Sequence, residues 1–465
     1  RTCTVLMNSA KNVTVAFEPV PTVPQPSSPP NGGHVGSVHV PSSLRPTFRW
    51  HPSTISFGSP ISGYDLQYSE DASFATGVTQ IQGVQLYQTP SLPVSSTAPV
   101  GRRYYWRVRA CAADVCSAYS PPFMVNVGVS DHDVDGDGYA DLFVASPFVR
   151  NAGGSIVGKI SMYFGGPAAA PPLTSRPPVT TTGTPLAPLE ASGVQPWADV
   201  GDVNGDGFSD VVVGVSHDDT NGENSGRVDV YLGGLTFDYV PDLQIFGVTP
   251  SSGVGGVLAL GDYNGDGADD IAIGGRYDAP GQCCLGRVDV YFGGSSIDDV
   301  PDWSRIGAVS GQAFGGQLIA ADVSGDGRDD LLVYQGGAFY LYTGGTALTA
   351  TGISLPACYH HTAGGDLNGD GYQDTLCQTV SCSGGACSAA GVVQLWGAGG
   401  VVASVNLDIP DDGVWDHPDD RSTVMARLGD VNRDGFDDIA LGEAGPDTLG
   451  SLWVYLGGDV VGPVF

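Results

Sequence analysis

Positive charge is scarce in this chain. Nineteen lysines and arginines stand against 50 acids in 465 residues, a formal net charge of −31. That balance excludes a surface built to neutralise phosphates, so neither nucleic acid nor anionic membrane is an expected partner. No run of about 18 apolar residues occurs, so no membrane-spanning helix and no membrane insertion are expected. Long stretches of helical period are missing as well. So are Gly-x-Ser-x-Gly, His-Glu-x-x-His and a phosphate-cradling glycine loop, which leaves the chain without a catalytic signature. His360-His361 lacks an acidic partner at helical spacing and reads as a surface or strand pair. What is abundant is glycine (69) and proline (33). With no helical pattern, that mix predicts an all-β protein rich in turns, and the length predicts more than one domain.

The nine cysteines fall mostly in close pairs. Cys111 and Cys116, Cys382 and Cys387, and Cys358 and Cys377 are read as three local disulfides. Cys283 and Cys284 are adjacent, where a vicinal bridge would be strained, and Cys3 is left over. Zinc-ligand spacing is absent. Disulfides imply an oxidising compartment.

One acidic stretch occurs six times. Loop II, from Asp202 to Asp210, reads Asp-Val-Asn-Gly-Asp-Gly-Phe-Ser-Asp; the others begin at Asp133 (I), Asp262 (III), Asp322 (IV), Asp366 (V) and Asp430 (VI). Each places side-chain oxygens at positions 1, 3, 5 and 9 and glycine at position 6. The sets are Asp133, Asp135, Asp137 and Asp141; Asp202, Asn204, Asp206 and Asp210; Asp262, Asn264, Asp266 and Asp270; Asp322, Ser324, Asp326 and Asp330; Asp366, Asn368, Asp370 and Asp374; Asp430, Asn432, Asp434 and Asp438. Carboxylates this close repel one another unless a hard cation takes their oxygens, and the glycine allows the sharp turn. Ca²⁺, about six ions in all, is the expected ligand. Mg²⁺ is disfavoured by its octahedral demand and reluctance to dehydrate. Six divalent ions would still leave the chain strongly acidic. The spacing starts like an EF-hand loop, but the closing acid is at position 9 and not 12. Apolar runs such as Val211-Val212-Val213 and Ile271-Ala272-Ile273 follow, and these read as buried strands.

This pattern, followed by a strand and then by Gly-Arg-Val-Asp-Val-Tyr-Leu-Gly-Gly, resembles the FG-GAP repeat of integrin α-subunit β-propellers and their bacterial relatives. The resemblance covers roughly residues 129–465. It implies that each loop joins the first two strands of a blade and holds Ca²⁺, with the carbonyl of position 7 as a further ligand: Tyr139, Phe208, Ala268, Arg328, Tyr372 and Phe436. It also implies that the loops lie opposite the ligand-binding face. Loop starts are 69, 60, 60, 44 and 64 residues apart, a propeller-like period. Six blades are favoured, with seven if one blade lacks a loop or the native chain continues. In the second repeat the strands are expected at Trp197 to Gly201, Asp210 to Val215, Arg227 to Leu232 and Leu243 to Gly247. Phe-Gly is kept at Phe314-Gly315, while Gly-Ala-Pro survives only as Ala145-Ser-Pro or Gly214-Val-Ser.

Ahead of the propeller, residues 1–18 read as the remnant of an upstream β domain, the chain being taken as a processed or trimmed product. Residues 19–35 read as a proline-rich linker. Residues 36–128 read as a β-sandwich whose Trp50 strand, Tyr64-x-Leu-x-Tyr strand and Tyr105-Trp-Arg-Val-Arg-Ala strand resemble fibronectin type III modules. Trp50 and Trp106 are expected in its core.

The function expected is a secreted or cell-surface recognition or adhesion protein, calcium-stabilised and not an enzyme. It would bind an extracellular protein or glycan through propeller loops 147–157, 217–226, 276–286, 381–391 and 411–421, the last carrying Trp415. The alternatives are a polysaccharide lyase on a calcium-loaded propeller and an architectural spacer of a larger surface protein.

Overall fold

The computed structural model describes the chain from Val20 to Val464, apart from residues 30–32, 36–45, 56–59, 86–101, 114, 129–131, 136–140, 151–155, 164–196, 235–236, 238–239, 276–284, 357, 359, 384–385, 408–421, 430–435, 445–450 and 459–461. Among the described residues every regular element is a strand.

The N-terminal unit has two sheets. In one, β1 (Pro26–Ser28) pairs antiparallel with β3 (Arg49–Trp50). The other has the order β2 (Gly33–Val35), β8 (Phe123–Val127), β6 (Arg102–Ala112), β4 (Gly63–Ser69), β5 (Thr79–Val84), with β7 (Val115–Cys116) folded back on β6. Phe48, Trp50, Leu66, Trp106, Val108 and Phe123 fill the core between them, as expected for Trp50 and Trp106. The expected linker is not wholly separate from this unit. Pro26–Ser28 and Gly33–Val35 are sandwich strands, and β1 and β2 lie at sheet edges, where a proline without an N–H is tolerated.

The rest of the chain is a series of sheets. The first is a hairpin of β9 (Leu142–Arg150) and β10 (Ile156–Tyr163). Five four-stranded antiparallel meanders follow: β11 (Trp197–Gly201), β12 (Asp210–Val215), β13 (Arg227–Tyr231) and β14 (Leu243–Phe246); β15 (Val257–Gly261), β16 (Asp270–Gly275), β17 (Arg287–Tyr291) and β18 (Trp303–Ile306); β19 (Leu318–Ala321), β20 (Asp330–Gln335), β21 (Ala338–Thr343) and β22 (Thr349–Pro356); β23 (His360–Gly365), β24 (Asp374–Ser383), β25 (Ala386–Gly397) and β26 (Gly400–Leu407); β27 (Ser422–Gly429), β28 (Asp438–Ala444), β29 (Ser451–Leu456) and β30 (Gly462–Val464). The second-repeat strands fall within one residue of their expected ends. The first strand of each meander lies beside the first strand of the next: β11 by β15, β15 by β19, β19 by β23 and β23 by β27. Sheets stacked through their first strands are what a propeller requires.

The apolar core is divided into layers, one in each gap between consecutive sheets. This explains the unbroken apolar runs. In β12, Val211, Val213 and Val215 face the preceding sheet and Val212 faces the following one. Both faces of the strand are therefore covered, and alternation with polar residues is lost. The same division places Leu331 and Val333 on one side of β20 and Leu332 on the other.

Glycines let neighbouring sheets approach at one repeated point. A Cβ on Gly274 would lie 2.3 Å from the carbonyl oxygen of Gly315, and one on Gly214 only 2.0 Å from that of Gly255. Phe314-Gly315 therefore meets the penultimate residue, a glycine, of the second strand of the sheet before it. Val254-Gly255 does the same job one repeat earlier, without the phenylalanine that would have revealed it in the sequence.

Candidate metal centres at the acidic end of the sheets

Loops II to VI each connect the first and second strands of a meander, and loop I precedes β9. All lie at one end of their sheets. In loop II the Asp202 carboxylate accepts N–H groups from Asp206 (3.0 Å) and Gly207 (2.9 Å). Asn204 Oδ1 accepts from Asp206 (2.8 Å), and Asp206 Oδ1 from Phe208 (2.9 Å). Asp210 closes the loop, taking N–H groups from Val203 (2.8 Å) and Asn204 (3.2 Å) on one oxygen and from Gly233 (2.7 Å) on the other. Loops III and V repeat the scheme, with Asp270 on Gly293 and Asp374 on the Trp396 N–H. Position 6 has the expected left-handed glycine, at φ +91° in Gly207 and +99° in Gly267. Position 4 is left-handed too, at φ +73° in Gly205 and +79° in Gly265, a need the sequence reading did not note.

The residues present fit a hard cation. Oxygens of Asp133, Asp135 and Asp141 lie within 4.8 Å of one another, close enough for one ion to touch all three at Ca²⁺–O distances of about 2.3–2.6 Å. Burial, reinforced by neighbouring carboxylates, pushes Asp202 up to about 7, Asp210 up to about 8 and Asp366 up to about 8. Such a site takes up either protons or a cation. In loop IV, Ser324 Oγ at position 3 is buried and makes no hydrogen bond of normal geometry, although it lies by the Asp330 carboxylate. A cation would supply its missing partner. Asp137, Tyr139, Asp430, Asn432 and Asp434 lie outside the described residues.

Position 7 was expected to contribute only a carbonyl. Its side chain has a separate use, covering the position 4 glycine of the loop before it. A Cβ on Gly205 would lie 3.5 Å from Ala268, and Cβ atoms on Gly265, Gly325 and Gly369 would collide with Arg328, Tyr372 and Phe436.

The sequence reading missed position 8. Its N–H donates to the position 1 carbonyl of the preceding loop in all five steps: Ser209 to Asp133, Asp269 to Asp202, Asp329 to Asp262, Gln373 to Asp322 and Asp437 to Asp366, at 2.8–3.0 Å. Where position 8 is aspartate, its carboxylate also accepts the N–H of position 1, so Asp269, Asp329 and Asp437 each grip the previous loop at two points. The six loops are thereby joined into one chain. The signal was present as the doubled acids Asp269-Asp270, Asp329-Asp330 and Asp437-Asp438.

The N-terminal sandwich packs against this acidic end. Arg103 pairs with Asp262 of loop III. A Cβ on Gly327 of loop IV would lie 3.0 Å from the Tyr105 ring, and one on Gly371 of loop V 2.8 Å from the Phe123 ring. His51 lies 5.9 Å, ring to ring, from Phe436 of loop VI.

Connections between second and third strands lie at the other end of the sheets, as antiparallel meanders require. Two of the candidate ligand loops are largely not loops. Much of 147–157 belongs to β9 and β10, and 381–391 lies in a long hairpin in which Cys382 is opposite Cys387. Longer strand pairing satisfies backbone groups that a loop would leave to water. Residues 217–226 do form a loop, braced by an Arg227–Asp218 ion pair and by Ser225 Oγ on the Asp218 carbonyl. Residues 276–284 and 411–421, with Trp415, lie outside the described residues.

Two of the expected disulfides are formed, Cys111–Cys116 and Cys358–Cys377. The side chains of Cys382 and Cys387, and Cys3, Cys283 and Cys284, fall outside the description. His361 sits on β23 with its ring edge-on to Phe339 at 4.6 Å, and burial pushes its pKa down to about 4. It is a neutral packing residue.

Sequence comparison agrees with this architecture. A family model for the FG-GAP repeat matches residues 196–231, which run from the start of β11 to the end of β13. The chain is 39% identical over 142 residues to integrin alpha-7 of Mus musculus, covering 29% of this chain and 11% of the integrin. It is 32% identical over 142 residues to phosphatidylinositol-glycan-specific phospholipase D of the same species, covering 28% and 17%. Integrin alpha-6 of Gallus gallus is 32% identical over 128 residues, covering 27% and 12%. The chain thus spans less than a fifth of the length of these relatives. The repeat and these likenesses support an FG-GAP β-propeller.

Proposed function

We propose that the chain is a calcium-stabilised recognition module of the cell exterior, a six-bladed FG-GAP propeller carrying a fibronectin type III-like sandwich. The observation that carries this reading is the strung row of acidic turns. Its carboxylates at positions 1 and 9 are mostly buried, mutually repelling and gathered at one end of the sheets. The same end is packed by the sandwich, so a ligand is offered the opposite end, where the second- and third-strand connections lie. Each Ca²⁺ is structural: it neutralises a turn that could not otherwise keep its acids together, and the stiffened sheets hold the far loops in place. The two disulfides and the likeness to integrin alpha chains support an extracellular setting.

The partner class proposed is an extracellular protein or glycan. Alignments of the same length reach an integrin and an enzyme, which supports reading the common feature as a scaffold. Calorimetric titration of chelator-stripped protein tests the metal reading, with several Ca²⁺ ions expected per chain. No heat and no thermal stabilisation by millimolar calcium would refute it. Glycan-array binding set against pull-down of extracellular proteins separates the two ligand classes. Release of uronate-absorbing products from acidic polysaccharides would instead favour a lyase.

A further inference from the structure

Arg103 reaches the position 1 carboxylate of the third acidic turn. It lies on β6, and its Nε donates to Oδ1 of Asn126, its register partner on β8, at 3.0 Å. That bond orients the guanidinium and sends its other nitrogens out of the sandwich. Nη1 donates to Asp262 Oδ2, and Nη2 lies 3.6 Å from Asp269 Oδ1. The Arg103 side chain is 11% exposed and that of Asp262 1%. Burial works against the guanidinium's charge, but Asp262, Asp269 and Asp329 more than offset it and hold its pKa above the ordinary arginine value.

The difference from other loops lies in the lone pairs of position 1. A carboxylate offers about four acceptor sites. Asp202 in loop II gives two of them to N–H groups of its own turn, leaving room for a cation. Asp366 in loop V gives three. Asp262 gives three to Gly265, Asp266 and Gly267 and the fourth to Arg103. No site remains on it for a metal, and a divalent ion placed there would also face a guanidinium across one carboxylate.

We propose that Arg103 is the resident cation of loop III: it docks the sandwich on the acidic end of the sheets and excludes calcium from that turn. Docking at loop III and calcium occupancy of loop III are alternatives. Tyr105, two residues along the same strand, and Phe123 seat the sandwich on loops IV and V at their position 6 glycines. This inference rests on the calcium reading above and refines it, with loop III as the exception.

Calcium stoichiometry of the full chain, measured by calorimetry after chelator stripping, tests it. Arg103→Gln keeps a polar side chain and removes the charge, and it is expected to bind one more ion per chain than the parent. Asp262→Asn is expected to leave the parent's count unchanged and to abolish the ion gained by Arg103→Gln. Asp202→Asn is the control and should remove one ion in either background. A parent count that drops by one in Asp262→Asn overturns the proposal, and this holds even if Arg103→Gln does not fold. So does an Arg103→Gln count equal to the parent's while Asp202→Asn loses one. A parent that binds no calcium at all refutes the calcium reading itself and the exclusion with it.

Discussion

Asp437 and Asp366 grip each other across adjacent sheets. The N–H of Asp437 donates to the Asp366 carbonyl at 3.0 Å, and the Asp437 carboxylate accepts the N–H of Asp366 at 2.9 Å. Asp329 with Asp262 and Asp269 with Asp202 form the same pair of bonds. The contact joins position 8 of one acidic turn to position 1 of the turn before it. Whatever orders one turn is therefore felt by its neighbours.

Removing one carboxylate from this contact should cost stability without removing a metal ligand. Asp329→Ala leaves the buried Asp262 N–H without its acceptor, a loss of about 1–3 kcal/mol. Ser209→Ala keeps its backbone bond to Asp133 and should cost under about 1 kcal/mol. Urea unfolding of both variants in saturating calcium checks the difference, and equal midpoints would show that the side-chain half of the grip contributes nothing.

Chelation should lower the melting temperature in a graded way. Each occupied site contributes about 2.7 kcal/mol when free calcium is 100 times its dissociation constant. Scanning calorimetry in a calcium series should show the midpoint rising with the logarithm of free calcium.

In chelator the protein should become less stable as pH rises. Asp202 and Asp210 are pushed up to about 7 and about 8 in the calcium-free fold, by burial first, with neighbouring carboxylates adding to the shift and backbone hydrogen bonds opposing it. The unfolded chain binds protons at these groups only below about 4. The folded state therefore holds more protons between about pH 4 and pH 8, and the stability they contribute is lost as pH climbs through the folded values. Calcium takes only the deprotonated form, so saturating calcium should flatten or reverse the slope. Melting curves at pH 5, 7 and 9, with and without calcium, read this directly. A calcium-free midpoint that rises over that range contradicts it.

Two glycine substitutions should separate turn strain from domain docking. Gly267 and Gly371 occupy the same position in loops III and V, at φ +99° and +92°. A Cβ on Gly267 meets nothing within 4 Å, whereas one on Gly371 meets Phe123 at 2.8 Å. Both alanine variants carry the backbone penalty of about 1–3 kcal/mol. Only Gly371→Ala should also displace the sandwich, seen as an increased radius of gyration in small-angle scattering.

Features set by residues close in the chain were legible beforehand. The oxygens at positions 1, 3, 5 and 9 and the turn glycine lie within nine residues, and the second strand of each meander begins at position 9. The Cys111–Cys116 bridge spans five residues and Cys358–Cys377 nineteen. The Gly336-Gly337 turn, with both φ values positive, joins β20 to β21. Glycine conformation, carboxylate repulsion and apolar runs act locally, so sequence alone determined them.

Only the tertiary structure decided what met across long separations. The position 8 grip links residues 67 or 71 apart, and Arg103 reaches Asp262 across 159. An acid beside another acid in the chain does not reveal which one turns to a neighbouring sheet, and an arginine on a sandwich strand carries no sign of the turn it enters. Those choices follow from how sheets stack and where the sandwich comes to rest, through packing and desolvation that exist only once the separate parts are together.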